Sequence, residues 1–146
     1  MHIDKIIEKD FPVIKDQVSV KEAAEILASE NINGLPVLND KNEVVGFISE
    51  YDIIKKALPK YIDQLKDVKY IGDFAPFYKN LHKLQDLKVK DVMTKDIKFL
   101  TLKDSVMEAA VMMIEENLNV IPIIENKNLI GIVTRNGIIK LVNEKE

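Results

Sequence analysis

The most informative part of this sequence is Gly46-Phe47-Ile48-Ser49-Glu50-Tyr51-Asp52. Its apolar residues continue a strand predicted over 44–48, and a helix is predicted over 50–57. Ser49 can cap that helix while Asp52, three residues later, reaches back in a capping box. The same helix start can bind a phosphate through its free amides, while the acid accepts hydrogen bonds from sugar hydroxyls. Taken alone, S-x-x-D favours the plain cap.

A second stretch, Gly131-Ile132-Val133-Thr134-Arg135-Asn136-Gly137, repeats this shape 85 residues after the first. Farther upstream the two copies align with an offset of 86 residues, and the first copy's identical positions are Lys9, Asp10, Ser19, Val20, Glu22, Ala23, Ala24, Glu30, Asn31, Asn33 and Pro36. Internal repetition of this kind indicates one supersecondary unit present twice. Each copy has about 55 residues, a size at which such units bury their cores against each other.

Composition bounds the class of protein. With 146 residues, 47% hydrophobic and 31% charged, the chain is expected to fold as one compact domain or two very small ones. A net charge of −3 argues against a broad nucleic-acid surface. The chain has no cysteine, which excludes disulfides, thiolate metal sites and a cysteine nucleophile. No apolar run approaches the roughly 20 residues of a membrane span, and the N-terminus lacks a signal-peptide core, so we expect a soluble cytoplasmic protein without membrane or nucleic-acid partners.

The first copy is predicted to have the order β-α-β-β-α. An extended piece at 11–14 precedes a helix at 20–31, a short strand at 35–38 and, after a turn, the strand at 44–48. The helix that follows Ser49 completes the unit. Pro36 has no backbone donor, so its strand is expected at a sheet edge or to begin near it.

The second copy is predicted to have a helix at 104–117, strands at 121–124 and 129–133, and a closing helix at 135–143. The side chains expected to face inward from the first of these helices are Val106, Ala109, Ala110, Met113 and Ile114. Three methionines on the same helix are expected to fill core space, namely Met107, Met112 and Met113.

Residues 58–87 have no counterpart in either copy. They hold five of the nine aromatic residues of the chain, which are Tyr61, Tyr70, Phe74, Phe77 and Tyr78. Two helices are predicted here, with apolar faces formed by Tyr61, Ile62, Leu65 and Val68 and by Phe77, Leu81, Leu84 and Leu87. General packing favours an insert that covers the module's own core. A subunit contact or a lid over a ligand is the alternative.

Together these features resemble a CBS domain (cystathionine β-synthase domain), and two in tandem resemble a CBS pair, or Bateman module. The resemblance rests on the order β-α-β-β-α, the paired alanines, the apolar-Pro-apolar strand and the closing Gly-apolar-apolar-Ser/Thr-x-x-Asp. The segment Val89-Lys90-Asp91-Val92-Met93-Thr94 is also similar to the usual start of a repeat. The resemblance implies an α+β fold in which repeats 3–57 and 88–144, separated by the insert 58–87, pack with pseudo-twofold symmetry around one core.

The resemblance also implies clefts that hold an adenosine compound, namely AMP, ADP, ATP or S-adenosylmethionine, with no cofactor required. In the family the Asp of the closing motif holds the ribose diol, the Ser or Thr lies by the phosphates, and backbone around the apolar-Pro strand touches adenine. The ligand-binding residues implied for the first copy are Asn33, Gly34, Leu35, Pro36, Ser49 and Asp52. Those implied for the second copy are Asn119, Val120, Ile121, Pro122, Thr134, Arg135 and Asn136.

The second copy departs from the family pattern, because Gly137 stands where the carboxylate should be. Asn136 could partly replace that carboxylate. Arg135 would lie in the first turn of a helix, where a cation opposes the helix dipole unless a phosphate is bound. An Arg135 that points into solvent is the alternative. We therefore expect the first cleft to bind an adenosine ligand more tightly than the second.

Two functions remain open at this point. One is a regulatory sensor of an adenosine ligand. The other is an interaction and dimerisation module that binds no small molecule, since helix caps explain Ser49 and Thr134 without a ligand.

An enzyme is not expected. His2 is at the terminus and His82 is in the insert, neither within a motif, and Asp63 and Asp67 are typical of a solvated helix face. The sequence has no attached catalytic or transport domain, so a regulatory output is expected to act in trans on an unidentified partner. We also expect a homodimer, because each repeat is too small to be robust alone.

Overall fold

The computed structural model describes residues 1–59 and 75–145. Mixed helices and strands form two similar halves, which confirms the α+β class. The apolar helix face predicted for residues 61–68 and the acidic pair Asp63 and Asp67 lie outside the described residues.

The first half has the predicted element order. Strand β1 is Ile14–Lys15, helix α1 is Val20–Glu30, strands β2 and β3 are Gly34–Leu38 and Val44–Ser49, and helix α2 is Glu50–Ala57. The sheet order is β1-β2-β3, with β1 parallel to β2 and β2 antiparallel to β3. Each element lies within a few residues of its sequence prediction.

Helix α1 is delimited by residues whose chemistry suits helix ends. The Ser19 hydroxyl caps the start by accepting a hydrogen bond from the Glu22 amide at 3.2 Å. At the other end Asn31 adopts a left-handed conformation with φ of 53°. Asparagine tolerates that conformation, which ends the helix and turns the chain into β2.

Pro36 was expected at a sheet edge or near a strand start, but β2 is the central strand of the three. The edge alternative is therefore wrong, whereas Pro36 does lie near the start of β2, two residues after Gly34. A central proline is tolerated here because β1 is only two residues long. It pairs Ile14 with Val37 and Lys15 with Leu38, and therefore stops before it reaches Pro36. The missing donor of Pro36 costs no ladder hydrogen bond on that side.

The described part of the insert begins with helix α3, Ala75–Lys83, followed by a 3₁₀ turn at Leu84–Asp86. Four apolar side chains of this segment pack against Val20 of α1 and Ala57 of α2, namely Phe77, Leu81, Leu84 and Leu87. The prediction that the insert covers the module's own core is confirmed for these residues.

The second half contains helix α4, Val106–Glu115, strands β4 and β5 at Val120–Glu125 and Asn128–Thr134, and helix α5, Arg135–Ile139. Its sheet has two strands. The strand equivalent to β1 is reduced to a single parallel bridge between Leu100 and Ile123. Helix α5 is shorter than predicted and continues as a 3₁₀ turn, consistent with the glycine in its interior, which weakens a helix.

Each half contributes a lead segment to the core of the other. We call residues 2–10 the N-terminal arm and residues 88–98 the linker arm. The N-terminal arm packs against the core of the second half through Ile3, Ile6 and Ile7. The linker arm packs against the core of the first half through Val89, Val92 and Met93. Each of these two clusters of buried residues therefore contains a side chain from the lead segment of the other repeat, which joins the two repeats into one module.

The outer face of α4 also differs from its prediction. Val106, Ala109 and Met113 are buried as expected, but Ile114, expected inward, is 76% exposed. Met107, expected to fill the core, is 72% exposed, and Val111 lies on the same side. These positions are spaced by four and three residues, which aligns them on one helix face pointing away from the sheet.

Candidate functional site

The junction between β3 and α2 is a complete capping box. The Ser49 hydroxyl accepts a hydrogen bond from the Asp52 amide at 3.2 Å, and Oδ2 of Asp52 accepts one from the Ser49 amide at 3.0 Å. The Ser49 hydroxyl also lies 3.1 Å from Oδ2 of Asp52. The motif therefore fixes the start of α2 and orients the carboxylate without any ligand.

Thr94 of the linker arm reaches this carboxylate from the second half of the chain. The backbones of Phe47 and Thr94 exchange two hydrogen bonds, at 2.9 and 2.8 Å. This pairing brings the Thr94 hydroxyl to Oδ1 of Asp52, to which it donates at 2.9 Å. Asp52 thus links the first repeat to the arm that opens the second.

Gly46 permits this close approach of the arm. A Cβ atom at that position would lie 2.4 Å from Sδ of Met93 and 2.9 Å from the carbonyl oxygen of Thr94. Gly131 has the same role in the second copy, where a Cβ atom would lie 2.6 Å from the carbonyl oxygen of Glu8. The glycine that opens each closing motif is therefore required by an arm that crosses its strand.

A cavity of about 560 Å³, which we call the first cleft, opens beside the capping box, at the boundary between the two repeats. The first repeat, the linker arm and the second repeat all contribute to its wall. Seven of the predicted ligand-binding residues line it, namely Asn33, Gly34, Ser49, Asp52, Asn119, Val120 and Pro122. The structure thus brings together predicted residues of the two repeats that lie 67 or more positions apart in the chain.

The other six predicted residues are not part of this wall. Leu35, Pro36 and Ile121 are buried within their strands. Thr134, Arg135 and Asn136 lie at the junction between β5 and α5, which we call the second cleft.

Several residues of the cavity wall were missed by the sequence interpretation. They are Phe47, Glu50, Tyr51, Thr94, Asp96, Ile97, Lys98, Glu116, Asn117 and Leu118. Thr94 ends the segment that resembles the start of a repeat, so a sequence signal for it existed. Position along the chain gives no such signal for Asp96 and Glu116, which depend on how the arm and the end of α4 approach the first repeat.

The second cleft has the same backbone arrangement as the first, but its acidic side chain comes from a different element. The Thr134 hydroxyl caps α5 by accepting a hydrogen bond from the Gly137 amide at 3.0 Å. The backbones of Glu8 and Ile132 exchange two hydrogen bonds, at 2.8 and 2.9 Å, as Thr94 and Phe47 do in the first cleft. The Thr134 hydroxyl lies 3.4 Å from Oε1 of Glu8. A carboxylate is therefore present in the second cleft, but it is carried by the N-terminal arm.

Arg135 follows neither of its two predicted orientations. Its Nε donates to the Leu118 carbonyl at 2.6 Å, and its Nη2 donates to the Met113 carbonyl at 3.2 Å and lies 3.4 Å from Oδ1 of Asn117. The guanidinium thus lies at the carboxyl end of α4, where a cation is favoured by the helix dipole and the last carbonyls. This half-buried contact explains the basic residue without a phosphate.

Among residues 1–59 and 75–145, no group of three or more His, Cys, Asp or Glu side chains is arranged to hold a metal ion. No helix within those ranges has the length and apolar character needed to cross a membrane. His2 and His82 are both exposed and lie away from the cavity wall.

Comparison with known families gives the same two units. The model of the CBS domain matches residues 3–58 and 89–144. The chain belongs to the CBS-domain family. The matched ranges coincide closely with the two sequence repeats, which confirms the resemblance.

Two relatives show how CBS pairs of this kind occur. An uncharacterized protein of Methanocaldococcus jannaschii, MJ1426, is 32% identical over 138 residues, covering 85% of this chain and 80% of the relative. A homoserine O-acetyltransferase of Methanococcus vannielii is 22% identical over 122 residues, which cover 84% of this chain but only 20% of that enzyme. This CBS pair therefore corresponds to about a fifth of the length of the acetyltransferase.

Solved CBS pairs share the fold. CBSX2 of Arabidopsis thaliana, in complex with AMP, is 24% identical with a TM-score of 0.73, and the match covers 97% of this chain and 95% of that chain. The CBS domain pair of protein MJ0100, in complex with 5′-methylthioadenosine and S-adenosyl-L-methionine, is 23% identical with a TM-score of 0.67, covering 98% and 100%. At these identities the likeness establishes the fold alone.

Proposed function

We propose that this CBS pair is a regulatory sensor that binds an adenosine ligand in the first cleft and acts in trans on a partner protein. The candidate ligands are AMP, ADP, ATP and S-adenosylmethionine. The observation that carries the proposal is the cavity of about 560 Å³, which is bounded by Ser49 and Asp52 and lined by both repeats. A volume of this size is typical of small-molecule sites. Complexes of other CBS pairs with AMP and with S-adenosyl-L-methionine support the ligand class.

Asp52 is the proposed ribose anchor. Each carboxylate oxygen offers two lone pairs, and three of these four sites accept from the Ser49 amide, the Ser49 hydroxyl and the Thr94 hydroxyl. Asp52 can therefore keep its cap and accept from one ribose hydroxyl through Oδ1, and a second ribose hydroxyl would replace the Thr94 or the Ser49 hydroxyl. Charge-assisted hydrogen bonds of this kind are the stronger ones in proteins. Backbone at Gly34 and Val120, which line the cavity from the first and the second repeat, would hold the adenine ring between the repeats.

The linker arm gives a route from binding to output. Thr94 donates to the same carboxylate that would hold the ribose, and the arm packs against the core of the first repeat. A ligand that contacts Asp52 and the arm together favours the arrangement in which both are held. Ligand binding thereby changes the population of arm positions that a partner protein meets.

Calorimetric and melting measurements with the four adenosine ligands test this proposal. A ligand at 100 times its Kd stabilises the folded protein by about 2.7 kcal/mol, which raises the Tm by roughly 5–10 °C. Asp52→Asn is expected to weaken binding, whereas Asp91→Asn, which loses a backbone contact to Lys88 outside the cavity, leaves it unchanged. Absence of binding by all four ligands would remove the sensor function.

We also propose that the protein is a homodimer formed through the outer face of α4. Such a dimer is compatible both with the ligand sensor and with the alternative, an interaction module that binds no small molecule. Met107, Val111 and Ile114 form an exposed uncharged stripe. The equivalent positions of α1 hold Lys21, Glu25 and Ala28, so the first repeat lacks this stripe. An uncharged face can meet its own copy without electrostatic repulsion, and large exposed apolar patches mark interaction surfaces. Light scattering at micromolar concentration tests the oligomeric state.

A further inference from the structure

We infer that the first cleft selects adenosine compounds with a cationic 5′ substituent and discriminates against those that carry phosphates. S-adenosylmethionine, whose sulfonium and ammonium groups outweigh its carboxylate, is the cationic case, and AMP and ATP are the phosphorylated ones. This inference rests on the proposed function and narrows its ligand class. Three independent features of the cavity lead to it.

The first feature is the charge of the wall. Four carboxylate side chains line the cavity, those of Glu50, Asp52, Asp96 and Glu116, against one ammonium group, that of Lys98. The formal charge of the wall is therefore −3, which equals the net charge of the whole chain. A cleft lined by one sign of charge concentrates ligands of the opposite sign and repels those of the same sign.

The second feature is the state of the helix start. A helix amino end attracts phosphate only through amides that have no other acceptor. Here the Glu50 amide donates to the Asn33 carbonyl at 2.9 Å, and the Asp52 amide donates to the Ser49 hydroxyl at 3.2 Å. The Asn33 carbonyl and the capping box thus occupy the amides of Glu50 and Asp52, two of the first three in α2, which a phosphate would require. Glu50 also adds a carboxylate to the first turn.

The third feature is the placement of the basic residues near the cavity. Arg135 is the only arginine of the chain, and its guanidinium is directed to the carbonyls of Met113 and Leu118 and not into the cavity. Lys98, which lines the wall, is exposed to solvent. The carboxyl end of α4 beside the cavity is already occupied by the Arg135 guanidinium, so the selectivity rests on the wall carboxylates and not on the helix dipole.

The selectivity is expected to be measurable despite solvent screening. The wall carboxylates are partly or fully exposed, so each charge contributes modestly. When the contributions of all the wall charges are summed, we expect S-adenosylmethionine to bind at least about tenfold more tightly than AMP. We expect ATP to bind more weakly than AMP because it carries more negative charge. Neutral 5′-methylthioadenosine should fall between S-adenosylmethionine and AMP.

Calorimetric titration of the full chain with these four compounds, at low and at physiological salt, tests the order. The double variant Asp96→Asn/Glu116→Gln should narrow the preference for S-adenosylmethionine over AMP. Asp10→Asn/Glu115→Gln makes the same change of charge at exposed positions outside the cavity wall and should leave the preference intact. Melting curves of each variant report whether the fold is kept.

The outcomes separate this inference from the function on which it rests. Binding of AMP or ATP as tight as that of S-adenosylmethionine overturns the charge selectivity and keeps the sensor function. Binding of none of the four compounds overturns both. The expected order, with a salt dependence that weakens S-adenosylmethionine and strengthens ATP, supports both.

Discussion

The Thr134 hydroxyl lies 3.4 Å from Oε1 of Glu8, and this contact is the counterpart of the 2.9 Å hydrogen bond from Thr94 to Oδ1 of Asp52. In the first cleft the helix carries the acid and the arm carries the hydroxyl. In the second cleft the arm carries the acid. Glu8 and Thr94 occupy equivalent positions in the 86-residue repeat, and Thr134 is the equivalent of Ser49. The acid therefore stands on the helix in the first cleft and on the arm in the second, and the first cleft has one more hydroxyl. The clefts are therefore unequal in geometry as well as in sequence.

Replacement of Asp52 by Ala is expected to weaken binding of the adenosine ligand about tenfold or more. A charge-assisted hydrogen bond contributes roughly 1.5–3 kcal/mol, and the ribose contact would be lost. The same change also removes the carboxylate half of the capping box, which costs about 0.5–2 kcal/mol of stability. Calorimetric titration measures the first effect and a melting curve the second.

The capping box of Ser105 and Glu108 provides the control for that experiment. This box caps α4 and lies outside the cavity, so Glu108→Ala loses a comparable cap without touching the ligand. We expect it to lower the Tm and keep the affinity. If Asp52→Ala binds as tightly as the wild type, the ribose role is wrong and the residue acts as a cap alone.

Moving the carboxylate of the second cleft from the N-terminal arm to helix α5 should make that cleft resemble the first. In the double variant Glu8→Thr/Gly137→Asp, the new carboxylate would stand on the helix and the hydroxyl on the arm. A Cβ atom at Gly137 has room, since its nearest neighbour is the Thr134 hydroxyl oxygen at 3.5 Å. We expect a Tm above that of the wild type, because a capping box is completed and a glycine leaves the helix. A second binding event of similar affinity should appear in calorimetry, whereas an unchanged stoichiometry would contradict the prediction.

Substitution of Gly46 by Ala tests the close approach of the linker arm. The new methyl group would lie 2.4 Å from Sδ of Met93 and 2.9 Å from the Thr94 carbonyl oxygen, so the arm must move. We expect a loss of about 1–3 kcal/mol of stability and weaker ligand binding, because Thr94 is drawn away from Asp52. Gly137→Ala, whose Cβ would make only ordinary van der Waals contacts within a helix, should be neutral or stabilising by up to about 1 kcal/mol. Equal effects of the two changes on binding would contradict the role of the arm.

Local patterns were sufficient for the elements and for half of the site. Ser49 and Thr134 were correctly expected as helix caps, because a capping residue acts within three positions of itself. The resemblance correctly indicated two CBS repeats. Glu8, Thr94 and Asp96 were missed because their positions depend on arms that pack against the opposite repeat, and no short-range periodicity encodes that exchange.

The orientation of α4 was mispredicted for a related reason. An apolar helix that is hydrophobic on more than one side has no unique inward face, and periodicity alone could not separate Met113, which is buried, from Ile114, which is 76% exposed. The sheet decides between them, since Ala109 and Met113 contact Ile121 and Ile123 in the core of the second half. The surplus apolar residues form the stripe that we assign to the dimer.

Val111→Glu should convert the proposed homodimer to a monomer. Val111 lies at the centre of the stripe, between Met107 and Ile114, and is 47% exposed. In an isologous contact each copy presents the same patch, so one substitution places two like charges in the interface. The affinity between the two copies should therefore fall strongly. Val13→Glu is the matched control, since Val13 is 38% exposed and lies outside the stripe. Light scattering should report a dimer for wild type and control and a monomer for Val111→Glu, with similar melting curves after correction for dissociation. A wild-type protein that is monomeric at micromolar concentration, or a Val111→Glu variant that remains dimeric, would show that α4 is not the interface.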